Sequence, residues 1–152
     1  MADVLLRPFR QSDADAIIDI WHRGASLPGV GPEALPSIAE FRDELIPALV
    51  SACRIVVAEG ADMVLGFVAL KPDERVLDQL FVRPDAVGTG IGRQLIDEAK
   101  RRMPDGFTLF TRPGNVRARR FYEASGLRAL RTERHPRFGD EILFYGWTPD
   151  EL

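Results

Sequence analysis

Apolar and polar positions change their period several times along the chain, and each change marks an element. The opening VLLRPF reads as a strand. SDADAIIDIWHRGAS follows, where Ile17, Ile20, Trp21 and Gly24 share one face of a helix. Ser12 is its expected N-cap, with Asp15 three residues on, where a capping box places its acid. The Pro- and Gly-rich stretch LPGVGPEALPSIAEF is a loop leading into a second helix near 37–49, which Pro47 is expected to bend or end. CRIVVAE and VLGFVALKP are β-rich runs joined by EGAD, a hairpin turn, and RVLDQLFV is a third such run. Ile91, Leu95, Ile96, Ala99 and Met103 return to helical spacing until Pro104. GFTLFT is a strand. NVRARRFYEASG is a short helix with Asn115 as N-cap and Gly126 as C′ residue, and LRALRTERH and EILFYGW are a final pair of strands around RFGD. The order is β-α-α-β-β-β-α-β-α-β-β, an α/β pattern with no domain boundary, so one domain is expected over residues 1–152.

Composition narrows the function classes. A chain of 152 residues with 45% apolar and 28% charged residues has the size and balance of one globular domain. Its net charge of -3 offers no global attraction to nucleic acid or to an anionic membrane. No apolar run is long enough to span a bilayer, and the start MADVLLRPFR lacks the pattern of a signal peptide, so a cytoplasmic setting is expected. Cys53 is the only cysteine, which rules out an intrachain disulfide; it opens a strand and reads as a small core residue rather than a nucleophile. His22 and His135 show no metal-ligand spacing with each other or with Cys53, and no metal is expected.

One stretch resists a purely structural explanation. Gly88, Gly90 and Gly92 lie between the apolar run ending in FVRP and the helix that begins near Ile91. A tight strand-to-helix connection needs one glycine, not three, and each costs conformational entropy on folding. A glycine-rich turn at a helix N-terminus presents free N–H groups to an anion, which makes it a phosphate or pyrophosphate site. It is not a P-loop, because Arg93-Gln94 stand where Lys-Ser/Thr belongs. Nor is it the dinucleotide fingerprint, because position 93 is Arg rather than Gly.

LDQLFVRPDAVGTGIGRQLIDEA followed by NVRARRFYEASGLR resembles the two signature segments of the GNAT superfamily, the acyl-CoA-dependent N-acetyltransferases. Gly90 and Gly92 occupy the glycine positions of the family loop Gln/Arg-x-x-Gly-x-Gly/Ala. The second segment has the family's Asn at Asn115 and its aromatic-Tyr-Glu-x-x-Gly-aliphatic run in Phe121, Tyr122, Glu123, Gly126 and Leu127. The resemblance covers 55–130 and implies a mixed, mostly antiparallel central sheet flanked by helices, with acetyl-CoA as cofactor. It places the cofactor on Val87, Gly88, Thr89, Gly90, Ile91, Gly92 and Arg93 of the loop, on the main chain of Leu80, Phe81 and Val82, and on Asn115 and Tyr122. Val87 departs from the family's Gln or Arg, so the grip there is expected to come from main-chain N–H groups, with Arg93 or another arginine as side-chain partner.

The resemblance also implies roles. Tyr122 is the candidate general acid for the leaving thiolate, since a phenol is protonated at neutral pH. Asp78 is the candidate base. Alternation puts Asp78, Leu80 and Val82 on one strand face and Leu77, Gln79 and Phe81 on the other, and an acid amid so much apolar sequence is expected to be buried. An acid on a wet strand face, or a water chain, is the competing source of deprotonation. Eight arginines against Glu123 and Glu133 lie between 112 and 137; a solvated face or contacts to the 3′-phosphate of CoA is the economical reading, ahead of an RNA-binding patch. The loop 24–39 and the turn 137–140 are expected to wall the acceptor cleft, with Trp21, His22 and Phe138 in contact. The expected function is acetyl transfer to a primary amine of a small-molecule or peptide acceptor by direct attack in a ternary complex. The alternative is a non-catalytic CoA-binding sensor or assembly module. Exposed edge strands suit a homodimer.

Overall fold

The computed structural model describes residues 3–149, so the two ends of the expected 1–152 domain, including Met1 and Ala2 of the opening segment, lie outside the described residues. In chain order the elements are β1 (Leu5–Pro8), α1 (Ala14–Ala25), α2 (Ile38–Glu40), α3 (Ile46–Ala52), β2 (Arg54–Gly60), β3 (Met63–Lys71), β4 (Val76–Val82), α4 (Ile91–Arg102), β5 (Phe107–Thr111), α5 (Val116–Ala124), β6 (Arg128–Arg134) and β7 (Glu141–Trp147). The seven strands form one sheet in the order β1-β2-β3-β4-β5-β7-β6, antiparallel throughout except for β4 against β5. The α/β order and the mostly antiparallel sheet are those expected.

Strand alternation sends apolar side chains to both faces of this sheet, and each face has its own helical cover. Val57, Phe67 and Ala69 pack with Ile17 and Ile20 of α1 and with Phe41, Ile46 and Leu49 of the α2–α3 segment. Val56, Val68 and Leu70 pack on the other face with Ile91, Leu95, Ile96 and Ala99 of α4 and with Tyr122 of α5. The β2–β3 turn is Ala61-Asp62, both at positive φ, as a two-residue hairpin of this hand requires.

Three local expectations change. Ser12 is exposed and caps nothing; the chain enters α1 through a 3₁₀ turn, Gln11–Asp13, in which the Asp13 carboxylate accepts the Arg10 N–H at 2.8 Å. Asp13 is the better anchor because Arg7, on β1, also donates to it at 2.8 and 2.9 Å. Pro47 does not end its helix. Ahead of it Phe41–Leu45 form a π-helical turn, in which Ile46 N–H reaches back to the Phe41 carbonyl, and the widened turn accommodates a residue that has no donor.

The third change concerns β4. Gln79 pairs with Ala69 and Leu77 with Leu70, which leaves Asp78 as the extra residue of a β-bulge. The bulge resets the alternation, so Leu77 packs with Leu80 and Val82 on the α4 face while Phe81 packs on the α1 face. The predicted grouping of Asp78 with Leu80 and Val82 therefore does not hold.

Candidate active site

Between β4 and β5 the sheet splits. Their ladder has one register pair, Val76 with Thr108, supported by Thr108 N–H to the Arg75 carbonyl at 3.0 Å. Beyond it Leu77–Val82 have a partner only in β3. Arg83 N–H donates to the Leu65 carbonyl of β3, so by antiparallel alternation Phe81 exchanges its main-chain bonds with β3 while Leu80 and Val82 turn theirs to the split. Of the three residues expected to offer main chain there, Leu80 and Val82 do so and Phe81 does not. Phe81 contributes its ring instead, packed so closely on α1 that a Cβ on Gly24 would lie 2.5 Å from it.

The split opens into a cleft of about 980 Å³. At one end lies the glycine loop. Gly88 and Gly90 sit at φ +87° and +90°, a region that strains other residues, and a Cβ on either would meet nothing within 4 Å. The third glycine has another cause: a Cβ on Gly92 would lie 3.3 Å from the Phe121 ring, so it brings α5 against α4. Among the described residues nothing accepts the N–H groups of residues 87 to 93; the ladder of α4 begins with Gln94 N–H to the Gly90 carbonyl. Val87, Thr89 and Ile91 thus have free main-chain N–H groups, and Thr89 turns its hydroxyl to the Ala86 carbonyl. A run of free donors at the positive end of a helix, with no side chain over it, suits a diphosphate. Arg93 lines the cleft, with Nε 3.7 Å from Asp97, and Arg117 lines it from α5.

Tyr122 faces the same cleft from α5, with its ring against Phe121 and Tyr145 at 5.4 and 5.9 Å. Its residue is 8% exposed, and burial pushes the phenol up to about 12. No group among the described residues bonds its hydroxyl, which is nonetheless not sealed from solvent, so the tip opens on the cleft. Gly92 on one side and Tyr145 on the other fix this helix. Tyr145 is fully buried and donates to Glu123 Oε2 at 2.6 Å, tying α5 to β7. Sequence reasoning passed over Tyr145, because nothing in EILFYGW says which helix its hydroxyl will meet. Asn115 caps α5 as expected, its Oδ1 accepting from Ala118 N–H at 3.2 Å, which leaves its amide N–H₂ for the cleft it lines.

Asp78 lines the cleft from its bulge but is not buried as expected. Its side chain is 28% exposed, Lys71 Nζ lies 3.6 Å away and Gln79 donates to it at 3.5 Å. The bulge turns it out of the apolar face on which plain alternation placed it. Cys53 borders this corner; burial, helped by the Asp78 charge, pushes its thiol up to about 11, so it is protonated at neutral pH.

The far half of the cleft is apolar, lined by Trp21, Val30, Leu35, Phe41, Leu45 and Phe138. Of the three residues expected to contact the acceptor, Trp21 and Phe138 line the cleft. His22 does not: it packs edge-on against Phe41. Arg112 ties the walls together. Nε and Nη2 donate to Asp140 in the β6–β7 turn, and Nη1 reaches the Val30 carbonyl of the α1–α2 loop at 3.4 Å. Among the described residues no helix is long and apolar enough to cross a membrane, and no cluster of His, Cys, Asp or Glu could hold a metal ion.

The model of the Acetyltransferase (GNAT) family matches residues 16–127. The chain belongs to the GNAT family. No curated protein sequence matches this GNAT chain. Among solved structures it resembles apo YjaB of Escherichia coli, at 25% identity and a TM-score of 0.70 over 95% of both chains. It also resembles a GCN5-related N-acetyltransferase of Rhodopseudomonas palustris, at 21% identity and a TM-score of 0.81 over 98% of both. YncA of Salmonella typhimurium, solved with its cofactor acetyl-CoA, shares the fold at 17% identity and a TM-score of 0.69, over 98% of this chain and 95% of that one.

Proposed function

We propose that this GNAT chain transfers the acetyl group of acetyl-CoA to a primary amine of a small-molecule or peptide acceptor, by direct attack in a ternary complex. The observation that carries the reading is the coincidence in one cleft of free N–H groups at residues 87 to 93 with an unpartnered Tyr122 hydroxyl. The residues fit the cofactor. The glycine loop, with Arg93 or Arg117 beside it, suits the phosphates, and the open β4 edge at Leu80 and Val82 suits an amide-bearing arm lying as an extra strand. Acetyl-CoA supplies an acyl group already activated as a thioester.

The protein's residues then have limited work to do. The acceptor amine must be neutral to attack; the C–N bond forms, the C–S bond breaks, the nitrogen sheds a proton and the sulfur needs one. Tyr122, protonated to about pH 12, holds a proton for the sulfur at any physiological pH. Asp78, directly or through water, is the candidate to take the amine's proton, with Lys71 fixing its carboxylate. The protonated Cys53 thiol favours direct transfer over an acyl-enzyme.

Tyr122→Phe is expected to lower kcat at least several-fold in a thiol-release assay, with the Kd for CoA by calorimetry unchanged. Wild-type turnover by the variant on a verified acceptor would remove Tyr122 from the acid role. One observation favours a second reading, a CoA-binding module without turnover: Asp78, the only carboxylate lining the cleft among the described residues, is engaged by Lys71. CoA binding without thiol release to any amine would select it.

A further inference from the structure

The cleft as a whole has a lopsided charge inventory. Lys71, Arg93, Arg112, Arg117 and Arg137 line the cleft as cations, while Asp78 is its only carboxylate among the described residues. An acceptor with several ammonium groups needs carboxylates for those it does not give up to acetylation. Asp78 already faces Lys71, and nothing else is offered.

The cations are not equally free. Arg93 and Arg117 stand on α4 and α5 beside the glycine loop, and Arg112 is spent on Asp140 and the Val30 carbonyl. Arg137 is different. It lies on the β6–β7 turn, its guanidinium 5.1 Å above the Phe138 ring, and its nearest acid is Glu40 at 3.9 Å, a long contact between half-exposed side chains.

His135 stands two residues before it. Its Nδ1 accepts the N–H groups of Arg137 and Phe138, at 3.0 and 3.1 Å. A nitrogen that accepts two hydrogen bonds carries no proton, so the ring is the Nε2–H tautomer. Burial and the nearby Arg112 and Arg137 guanidinium groups also hold the imidazole pKa down, although Asp140 opposes them. His135, which lines the cleft, is therefore a donor at Nε2 and not a base. His135 and Arg137 both line the cleft, so the same turn offers an N–H and a guanidinium there, each able to bind an oxygen that accepts.

We infer that the acceptor is an amine carried on an apolar body with a carboxylate, the chemistry of an apolar amino acid, and that Arg137 and the Nε2–H of His135 bind that carboxylate. This rests on the transferase reading above and specifies its substrate class. Polyamines and other polycationic amines are excluded by the same charges.

The test pairs leucine, phenylalanine and tryptophan with the amines obtained by removing their carboxylate, plus spermidine, in the thiol-release assay. For at least one pair the amino acid should show a KM about tenfold below its decarboxylated amine, the worth of one good charge-assisted contact. Arg137→Gln should raise that KM about tenfold while leaving the decarboxylated amine and the Kd for CoA unchanged, and Arg137→Lys should restore part of it. A lowest KM for spermidine, no preference within any pair, or an equal effect of Arg137→Gln on both members overturns the inference. If CoA binds but no amine releases thiol, the transferase reading fails. Calorimetry on the CoA-loaded protein then decides the acceptor class separately. Binding of an amino acid that Arg137→Gln abolishes upholds it, and binding of spermidine or of none of the amino acids overturns it.

Discussion

Arg7 and Asp13 are the most buried charges described here, at 8% and 5% exposure, and they hold β1 to the start of α1. Arg7 is shared with Glu59 on β2, Nε to Oε2 at 3.0 Å, so one guanidinium clamps three elements. Its hydrogen bonds hold the Asp13 carboxyl below the usual 3.8, against the opposing effect of burial. Removing the Asp13 charge leaves the buried Arg7 guanidinium with Glu59 as its remaining carboxylate, at a cost of up to about 3–5 kcal/mol. Asp13→Asn should lower the unfolding free energy, read from denaturant melts, by that amount at pH 7, with a lower midpoint. Because the folded pKa is the depressed one, this stabilisation is complete above the unfolded value near 3.8 and disappears as pH falls through the folded one. The wild-type and variant midpoints should therefore converge in acid. A constant gap down to pH 2 would show that Asp13 acts through packing and not charge.

The three glycines show how one short segment can serve two elements for different reasons. Gly88→Ala or Gly90→Ala places a Cβ in open space but at positive φ, so the free protein should lose only about 1–2 kcal/mol while CoA affinity falls further, since the Cβ covers the amides. Gly92→Val is not strained in φ; it presses on Phe121 and so on the helix bearing Tyr122, and is expected to reduce kcat more than CoA affinity. Similar losses of CoA affinity across all three variants, with kcat intact, would refute this division. The elements themselves were readable. Helical spacing marked out α4 to within a residue, and EILFYGW matches β7 to the residue. What could not be read were departures that depend on partners far along the chain. The bulge at Asp78 follows from how Ala69 and Leu70 pair, and alternation applied to VLDQLFV has no way to include an extra residue. The π-turn before Pro47 and the tautomer of His135, set by two N–H groups of its own turn, are of the same kind.

Arg112 links regions that no local pattern connects. It belongs to the segment after β5, yet it binds the β6–β7 turn through Asp140 and the α1–α2 loop through the Val30 carbonyl. Close by, Gly29 meets Gly114 so tightly that a Cβ on Gly29 would lie 2.7 Å from the Gly114 carbonyl. The β6–β7 turn and the α1–α2 loop are thus pinned at one point, outside the glycine loop. Arg112→Gln should raise the acceptor KM several-fold and leave the Kd for CoA within a factor of about two, and a large loss of CoA affinity would contradict this separation. The GNAT signature segments made the family and the glycine loop legible, because its free main-chain donors come with the glycines. The other half of the cleft depends on contacts such as that of the Arg112 side chain with a carbonyl 82 residues away in the chain, and such meetings become visible only in three dimensions.

The single register pair joining β4 and β5 leaves the sheet one ribbon short along Leu80 and Val82, with room for an extended guest to complete it. Deuterium uptake should record that step. Adding CoA should slow exchange at the amides of Leu80 and Val82, while Phe81, already committed to β3, should exchange at the same rate with or without it. Equal protection of all three would mean that the guest stiffens the sheet as a whole instead of completing it.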